Sequence, residues 1–206
     1  MLTILLLLHL SIPSLVEQAV AQTIAADSIS ASESLLIPFR AEIEAAATRE
    51  ALPPALIAAV IQEESRFDPW ATRAEPNYMR SRAVRRAAER FVRIHRLGPT
   101  LFTEIVDRSR SYGLMQIMGE TAREQGFAPS FLAELYIPQN AIAHGAMLLA
   151  HLLHRYHNDT LAAISAYNQG TARRTTHGPR RGIFLNARYV YRVTIAWRAY
   201  DALFRR

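Results

Sequence analysis

The chain has 206 residues, 50% of them hydrophobic, and it contains no cysteine. This composition excludes wholesale disorder, a disulfide scaffold, a cysteine nucleophile and thiolate metal sites. Every basic residue is arginine and the formal net charge is +6. We interpret the charge as a compositional bias or a basic surface for an anionic polymer, and not as a nucleic-acid interface.

The N-terminus begins with an apolar run, MLTILLLLHL, which is too short for a membrane span. Ala19-Val20-Ala21 then fits the small-x-small pattern of a cleavage site. We therefore predict an export signal over residues 1–21, a flexible lead-in over residues 22–34, and a periplasmic or envelope-associated protein. No basic residue precedes the apolar run and Glu17 lies near the cut, so a short N-terminal helix is the alternative.

From residue 35 onward, the apolar residues recur at helical spacing. The predicted helices span residues 35–50, 55–65, 84–95, 100–106, 140–156, 161–167 and 187–204. We also predict two short helices over residues 112–125, which meet near Gly119, and another that begins after Ala128. Strand alternation is absent, so the sequence predicts a single all-α domain over residues 35–206.

Glu64 is the first candidate for chemistry, because it follows Ile57 and Ile61 on the apolar face of its helix. A carboxylate held against apolar side chains loses hydration, which raises its pKa and suits it to act as a general acid. Its neighbour Glu63 is expected to point into solvent. The alternative is that Glu64 is an ordinary surface or capping residue at a helix end.

Two further segments carry polar side chains beside glycine. Gly113-Leu114-Met115-Gln116 combines a permissive backbone, an adaptable apolar side chain and an amide, although a core turn is the alternative. Ala166-Tyr167-Asn168-Gln169-Gly170 places a phenol and an amide at a helix exit, where a simple capped end is the alternative. Both segments contain the amides and aromatic rings that commonly contact sugars.

Together with Glu64-Ser65-Arg66-Phe67-Asp68-Pro69, these segments occur in the order found in soluble-lytic-transglycosylase-like domains. The chain resembles that family over residues 52–200. The resemblance implies an all-helical, lysozyme-like fold with Glu64 as the catalytic acid and base. It also implies that Met115, Gln116, Tyr167, Asn168 and Tyr189 bind substrate, with Tyr189 reaching toward the Glu64 carboxylate.

The sequence departs from the family pattern in the link after Asp68-Pro69. Arg73 stands where the family has a serine, and an arginine-rich insertion of residues 73–110 follows. Ser111 could replace the missing serine only if the insertion folds back. The insertion contains Glu75, and Glu120 stands at a position where the family usually has proline.

The resemblance implies cleavage of the bond between N-acetylmuramic acid and N-acetylglucosamine in peptidoglycan strands, with formation of a 1,6-anhydro product by a monomer that needs no metal or cofactor. A hydrolytic muramidase that uses Glu75, and a non-catalytic glycan-binding or assembly protein, are the alternatives.

Nucleic-acid binding by the arginine-rich residues 80–96 and 173–181 is a further alternative. For the first segment we favour a solvated helix face, with Val84, Ala88 and Ile94 pointing inward. The histidines of residues 144–157 are interpreted as packing and surface residues.

Overall fold

Helices form most of the structure. The computed structural model describes residues 37–178 and 181–205, and it is 62% helix and 6% strand. Within those residues the helices are α1 (Arg40–Glu50), α2 (Pro54–Glu64), α3 (Pro76–Met79), α4 (Arg82–Ile94), α5 (Leu101–Arg108), α6 (Gly119–Glu124), α7 (Pro138–Arg155), α8 (Thr160–Gln169) and α9 (Ala187–Phe204), with a 3₁₀ helix over Leu132–Tyr136. The predicted helical class is confirmed.

The ends of several helices follow cues in the sequence. Pro54 occupies the first turn of α2. Backbone N–H groups in the first turn have no partner within the helix, so the N–H that proline lacks is not needed there. The Thr100 hydroxyl accepts a hydrogen bond from the backbone N–H of Thr103 at 3.2 Å and so caps α5. Gly170 ends α8 in the left-handed region, with φ of 75°. Most of the predicted helices begin and end within two residues of their predicted limits, whereas the first begins only at Arg40 and α3 was not predicted.

A small antiparallel sheet corrects the sequence prediction between residues 72 and 118. Its strands are β1 (Thr72–Ala74), β2 (Arg110–Tyr112) and β3 (Ile117–Met118), in the order β1-β2-β3. The predicted pair of helices over residues 112–125 is therefore wrong, and only α6 is helical there. Strands of two or three residues are too short to show an alternating pattern.

Helix α2 lies at the centre of the core, since every residue from Ala55 to Ile61 is buried. Helix α9 packs along α2, and α7 packs against both α1 and α8. One stripe of α7 is buried, at Ile142, Ala146, Leu149 and Leu152. The middle of α2 is thus enclosed, and its last turn, from Gln62 to Glu64, is partly exposed.

The insertion is held by a buried cluster of charged side chains that was not predicted from the sequence. Glu104 of α5 is fully buried and contacts Arg108 at 2.8 Å and Arg123 of α6 at 3.0 Å. Arg108 also pairs with Glu120 at 2.8 Å, so the residue that replaces the usual proline has a structural partner. The Arg123 guanidinium lies 3.8 Å from the centre of the Phe91 ring, which joins α4 to the cluster.

Residues 38–206 form one compact unit. The predicted export signal and lead-in lie outside the described residues. No helix of the described ranges is long and apolar enough to cross a membrane.

The inward face of α4 is only partly as predicted. Val84 and Ala88 are buried, but Ile94 is 71% exposed, so its predicted inward position is wrong. It is the last residue of the helix, six positions after Ala88, the last residue of α4 that is buried.

Candidate active site

The C-terminal end of α2 presents the Glu64 side chain to a cavity of about 800 Å³. The Tyr189 hydroxyl, from the first turn of α9, donates a hydrogen bond to Glu64 Oε1 at 2.6 Å. Tyr189 is itself buried, so the packing of α9 on α2 fixes the direction of the carboxyl group. The contact between Tyr189 and Glu64 matches the position that the resemblance implies for Tyr189.

Burial raises the pKa of the Glu64 carboxyl from its ordinary value of 4.5 to about 7. The Tyr189 hydrogen bond and the positive charge of Arg73 lower this pKa, but together they offset only part of the burial, and the charge of Glu63 raises it slightly. Near neutral pH the carboxyl group is therefore partly protonated and partly ionised. A group that acts first as a general acid and then as a general base needs both of these forms.

The prediction that Glu63, the neighbour of Glu64, points into solvent is wrong. Its Oε2 lies 2.6 Å from Arg192 Nε of α9, and 15% of its side chain is exposed. The two adjacent glutamates thus have different partners on the same helix. Glu63 has a cation within ion-pair distance, whereas Glu64 has a neutral hydroxyl.

The loop between β2 and β3 places the amide of Gln116 in the wall of the cavity that Glu64 lines. The Ser65 hydroxyl donates to the Leu114 carbonyl at 2.8 Å and so ties this loop to the end of α2. Gly113 has φ of 63°, and a Cβ atom there would collide with the Leu135 carbonyl oxygen. Gln116 Nε2 donates to the carbonyls of Ala71 at 2.9 Å and Gly113 at 3.0 Å. No residue of the described ranges donates a hydrogen bond to the amide oxygen of Gln116, and Gln116 lines the cavity.

Met115 occupies a different place from the one that the resemblance implies. Its side chain is fully buried and packs against Gly145 of α7, where a Cβ atom would overlap it. Only its backbone takes part in the site, because its carbonyl accepts a hydrogen bond from the Tyr167 hydroxyl at 2.9 Å. Met115 is not among the residues that line the cavity, so this geometry gives its side chain no contact with a ligand there, and the prediction that it binds substrate stays a prediction.

Tyr167 and Asn168, at the end of α8, both line the cavity. Burial, and the nearby charge of Glu64, hold the pKa of the Tyr167 hydroxyl well above its usual range, so it remains a donor. Asn168 Oδ1 accepts a hydrogen bond from Asn186 Nδ2 at 3.1 Å, and Asn186 Oδ1 accepts one from the Ser165 hydroxyl at 2.7 Å. This chain of amides fixes the start of α9 against α8 and thereby helps to position Tyr189.

The insertion folds back onto the cavity, which is the condition for Ser111 to replace the missing serine. Strand β1 pairs with β2 so that Arg73 lies opposite Ser111. Arg73 Nε lies 2.7 Å from Glu75 Oε1, and Arg73, Glu75 and Ser111 all line the cavity with Glu64. The residue at the family's serine position therefore places a cation on the cavity wall.

Two glutamines in the cavity wall were not predicted from the sequence. The side-chain oxygens of Gln125 and Gln169 are buried and have no hydrogen-bond partner within the described ranges. Both residues line the cavity, from the end of α6 and the end of α8. Such acceptors suit the N–H and O–H groups of a polar ligand. Gln169 directly follows Tyr167 and Asn168 in the sequence, and this position could have identified it as a cavity residue.

Two histidines of α7, His144 and His151, have different surroundings. The His144 ring packs edge-on against Phe127 with 4.8 Å between centroids, and burial lowers its pKa. His151 lines the cavity. In the ranges that the structure describes, no group of three histidine, aspartate or glutamate side chains is placed to hold a metal ion.

The chain is similar to known proteins both in its sequence pattern and in its fold. The family model described as the Transglycosylase SLT domain matches residues 41–183. Among solved structures, the chain is similar to an inactive mutant of the lytic transglycosylase Slt from Pseudomonas aeruginosa, with 19% identity and a TM-score of 0.54. The similarity covers 82% of this chain and 25% of that one, so this chain spans about a quarter of its length. At this identity the likeness concerns the fold. No curated protein matches the chain.

Proposed function

The chain belongs to the Transglycosylase SLT domain family, and from this premise we propose that it is a peptidoglycan lytic transglycosylase with Glu64 as its catalytic acid and base. The substrate bond is the β-1,4 linkage between N-acetylmuramic acid and N-acetylglucosamine. The observation that carries the proposal is a carboxyl group in a cavity with a pKa of about 7 and one neutral hydrogen-bond partner.

In the first step, protonated Glu64 donates its proton to the glycosidic oxygen as the bond to C1 of the muramyl sugar breaks. Tyr189 donates to Oε1 at 2.6 Å, so Oε2 is the atom that carries the proton. The transition state has oxocarbenium character. As the proton leaves, the Tyr189 hydrogen bond and the charge of Arg73 stabilise the carboxylate that forms.

In the second step, the Glu64 carboxylate removes the proton from the C6 hydroxyl of the same muramyl sugar. The C6 oxygen attacks C1 and closes the 1,6-anhydro ring, so the substrate supplies its own nucleophile. Glu64 regains the proton that it gave away, and no water is consumed. A single carboxyl group that titrates near neutral pH is sufficient for both transfers.

The remaining cavity wall suits an acetamido sugar. Gln116, Asn168, Gln125 and Gln169 present amide groups to the cavity, and amides can hydrogen-bond both sugar hydroxyls and N-acetyl groups. Peptidoglycan strands lie outside the cytoplasmic membrane, so the proposed substrate agrees with the predicted export of the chain. We assign these residues, with Tyr167, to glycan binding by a monomer.

A hydrolytic muramidase is the second candidate, because Glu75 lines the same cavity as Glu64. A second carboxylate could activate a water molecule on the opposite face of the sugar. Glu75 is paired with Arg73 at 2.7 Å, which engages one of its oxygens. The non-catalytic glycan-binding alternative is based on Arg73 at the family's serine position.

Digestion of purified peptidoglycan sacculi, followed by mass spectrometry of the soluble muropeptides, separates these candidates. The proposal predicts 1,6-anhydro ends with wild-type protein and no release with Glu64→Gln. Glu63→Gln is the matched control, because Glu63 is not among the residues that line the cavity. Reducing ends would instead indicate the muramidase. Release that is equal in wild type and Glu64→Gln would contradict any catalytic role of Glu64.

A further inference from the structure

The turn between α4 and α5 exposes three large apolar side chains. Leu97 is 99% exposed, Phe102 72% and Ile94 71%. We name these three residues the apolar tip. The inner faces of the same two helices are buried, at Val84 and Ala88 on α4 and at Ile105 on α5. The apolar tip therefore extends beyond the packed part of the insertion.

An arginine face covers the outer side of α4. It consists of Arg82, Arg86, Arg90 and Arg93. The spacings of three, four and seven residues place these side chains on one side of the helix. All four are exposed, and none forms an ion pair with any described residue. The one acidic residue of α4, Glu89, is paired with Arg85 at 3.1 Å. The arginine face thus carries uncompensated positive charge.

The arginine face and the apolar tip are continuous. Ile94 follows Arg90 by four residues, which places the two side chains next to each other on the helix surface. Leu97 lies in the turn that follows, together with exposed Arg96. None of these residues is among those that line the Glu64 cavity. A partner on this surface would therefore leave the cavity open to substrate.

We propose that the apolar tip and the arginine face bind the surface of an anionic phospholipid bilayer. Arginines at such a surface pair with lipid phosphates, while exposed leucine, isoleucine and phenylalanine side chains enter the boundary between headgroups and acyl chains. A hydrated glycan or a nucleic acid could pair with the arginines, but it offers no apolar phase for Leu97, Ile94 and Phe102. The proposal concerns a surface apart from the cavity and does not depend on the enzymatic function.

Sedimentation with vesicles tests this proposal on the full chain. We expect binding to vesicles of equimolar phosphatidylglycerol and phosphatidylcholine, weaker binding at high salt, and little binding to phosphatidylcholine alone. The triple variant Arg86→Gln, Arg90→Gln, Arg93→Gln should weaken binding about a hundredfold, since each arginine near an anionic surface contributes about fivefold. Leu97→Ser should weaken it about tenfold.

Leu185→Ser is the matched control, because Leu185 is also exposed, at 55%, and lies outside the insertion. It should bind the anionic vesicles as wild type does. Thermal unfolding of all three variants verifies that the exposed substitutions leave the fold intact. The proposal is overturned if the chain does not prefer anionic vesicles. It is also overturned if Leu97→Ser binds as tightly as wild type while the triple variant does not, because that result would indicate adhesion to any anionic polymer.

Discussion

Glu104, which is fully buried, and Glu64, which is half-buried at the cavity, have opposite surroundings. Glu104 is fully buried in the insertion and contacts the guanidinium groups of Arg108 and Arg123 at 2.8 and 3.0 Å. Glu64 lies at the cavity, and among the described residues the Tyr189 hydroxyl is the one group at hydrogen-bond distance from its carboxyl group. Its pKa rises to about 7 because burial outweighs that hydrogen bond and the charge of Arg73.

The comparison shows that burial alone does not prepare a carboxyl group for proton transfer. Two arginines compensate the charge of Glu104, so this residue joins α5 to α6 and serves the fold. In the part of the chain that the structure describes, Glu64 forms no ion pair with a buried cation, so its neutral form is favoured up to neutral pH. The number and charge of the partners determine which glutamate can act as an acid.

The largest expected effect is on the stability of the Glu104 cluster. Glu104→Gln leaves Arg108 and Arg123 buried with less compensating charge, and we expect the free energy of unfolding to fall by about 3–5 kcal/mol. Urea denaturation measures the change. Glu89→Gln, in the exposed pair with Arg85, should alter stability by less than about 1 kcal/mol. Equal effects of the two variants would show that the buried cluster does not hold the insertion.

Glu64→Gln should have the opposite effect on stability. The native state binds the Glu64 proton more tightly than the unfolded chain does, so the wild-type protein loses stability as pH rises from 4.5 to about 7. Glutamine does not ionise, so the variant does not lose stability in this way as the pH rises. It should be more stable than wild type by roughly 2–3 kcal/mol at pH 8, and nearly equal to it at pH 4. A variant that is less stable than wild type at pH 8 would contradict the unfavourable burial of the carboxylate.

Tyr189→Phe tests the single hydrogen bond to Glu64. Its loss should raise the Glu64 pKa further, because that hydrogen bond lowers it, and the alkaline decline of cleavage should move to higher pH. The maximal rate should fall about tenfold, since a hydrogen bond to a charged group contributes about 1.5 kcal/mol or more. Tyr200→Phe, which removes a hydrogen bond to Gln62 on the same pair of helices, is the control and should leave the pH profile in place.

Arg73→Gln should give the smallest effect. Arg73 lowers the Glu64 pKa, but 67% of its side chain is exposed and solvent screens its charge. The alkaline decline of cleavage should shift upward by less than in Tyr189→Phe, and the difference from wild type should vanish at high salt. A shift that persists at high salt would indicate direct contact between Arg73 and the reacting groups.

Helical spacing and capping residues predicted the helices well. Residues 187–204 form α9 at the predicted limits, and the helix exit at Gly170 was also predicted. These features are local, because a periodic stripe or a capping side chain acts within a few residues. The sheet was not predictable in this way, since its strands are very short and pair across the whole insertion.

The site was predicted in outline by its motifs, but its contacts depend on packing that is distant in sequence. The hydrogen bond between Glu64 and Tyr189 joins residues that are 125 positions apart. Met115 was expected in the cavity, but the absence of a side chain on Gly145 lets it pack inward. Glu104 and Arg123 resemble solvated helix residues in sequence, because nothing local shows that the two helices bury them against each other.

The catalytic role of Glu64 is tested most directly by a carbon-13 NMR titration of its side-chain carboxyl group, with the resonance assigned by its absence in Glu64→Gln. We predict a midpoint at about pH 7, and a decline in the cleavage rate over the same pH range. A midpoint near the ordinary glutamate value of 4.5, or cleavage that continues unchanged well above pH 7, would contradict Glu64 as the acid.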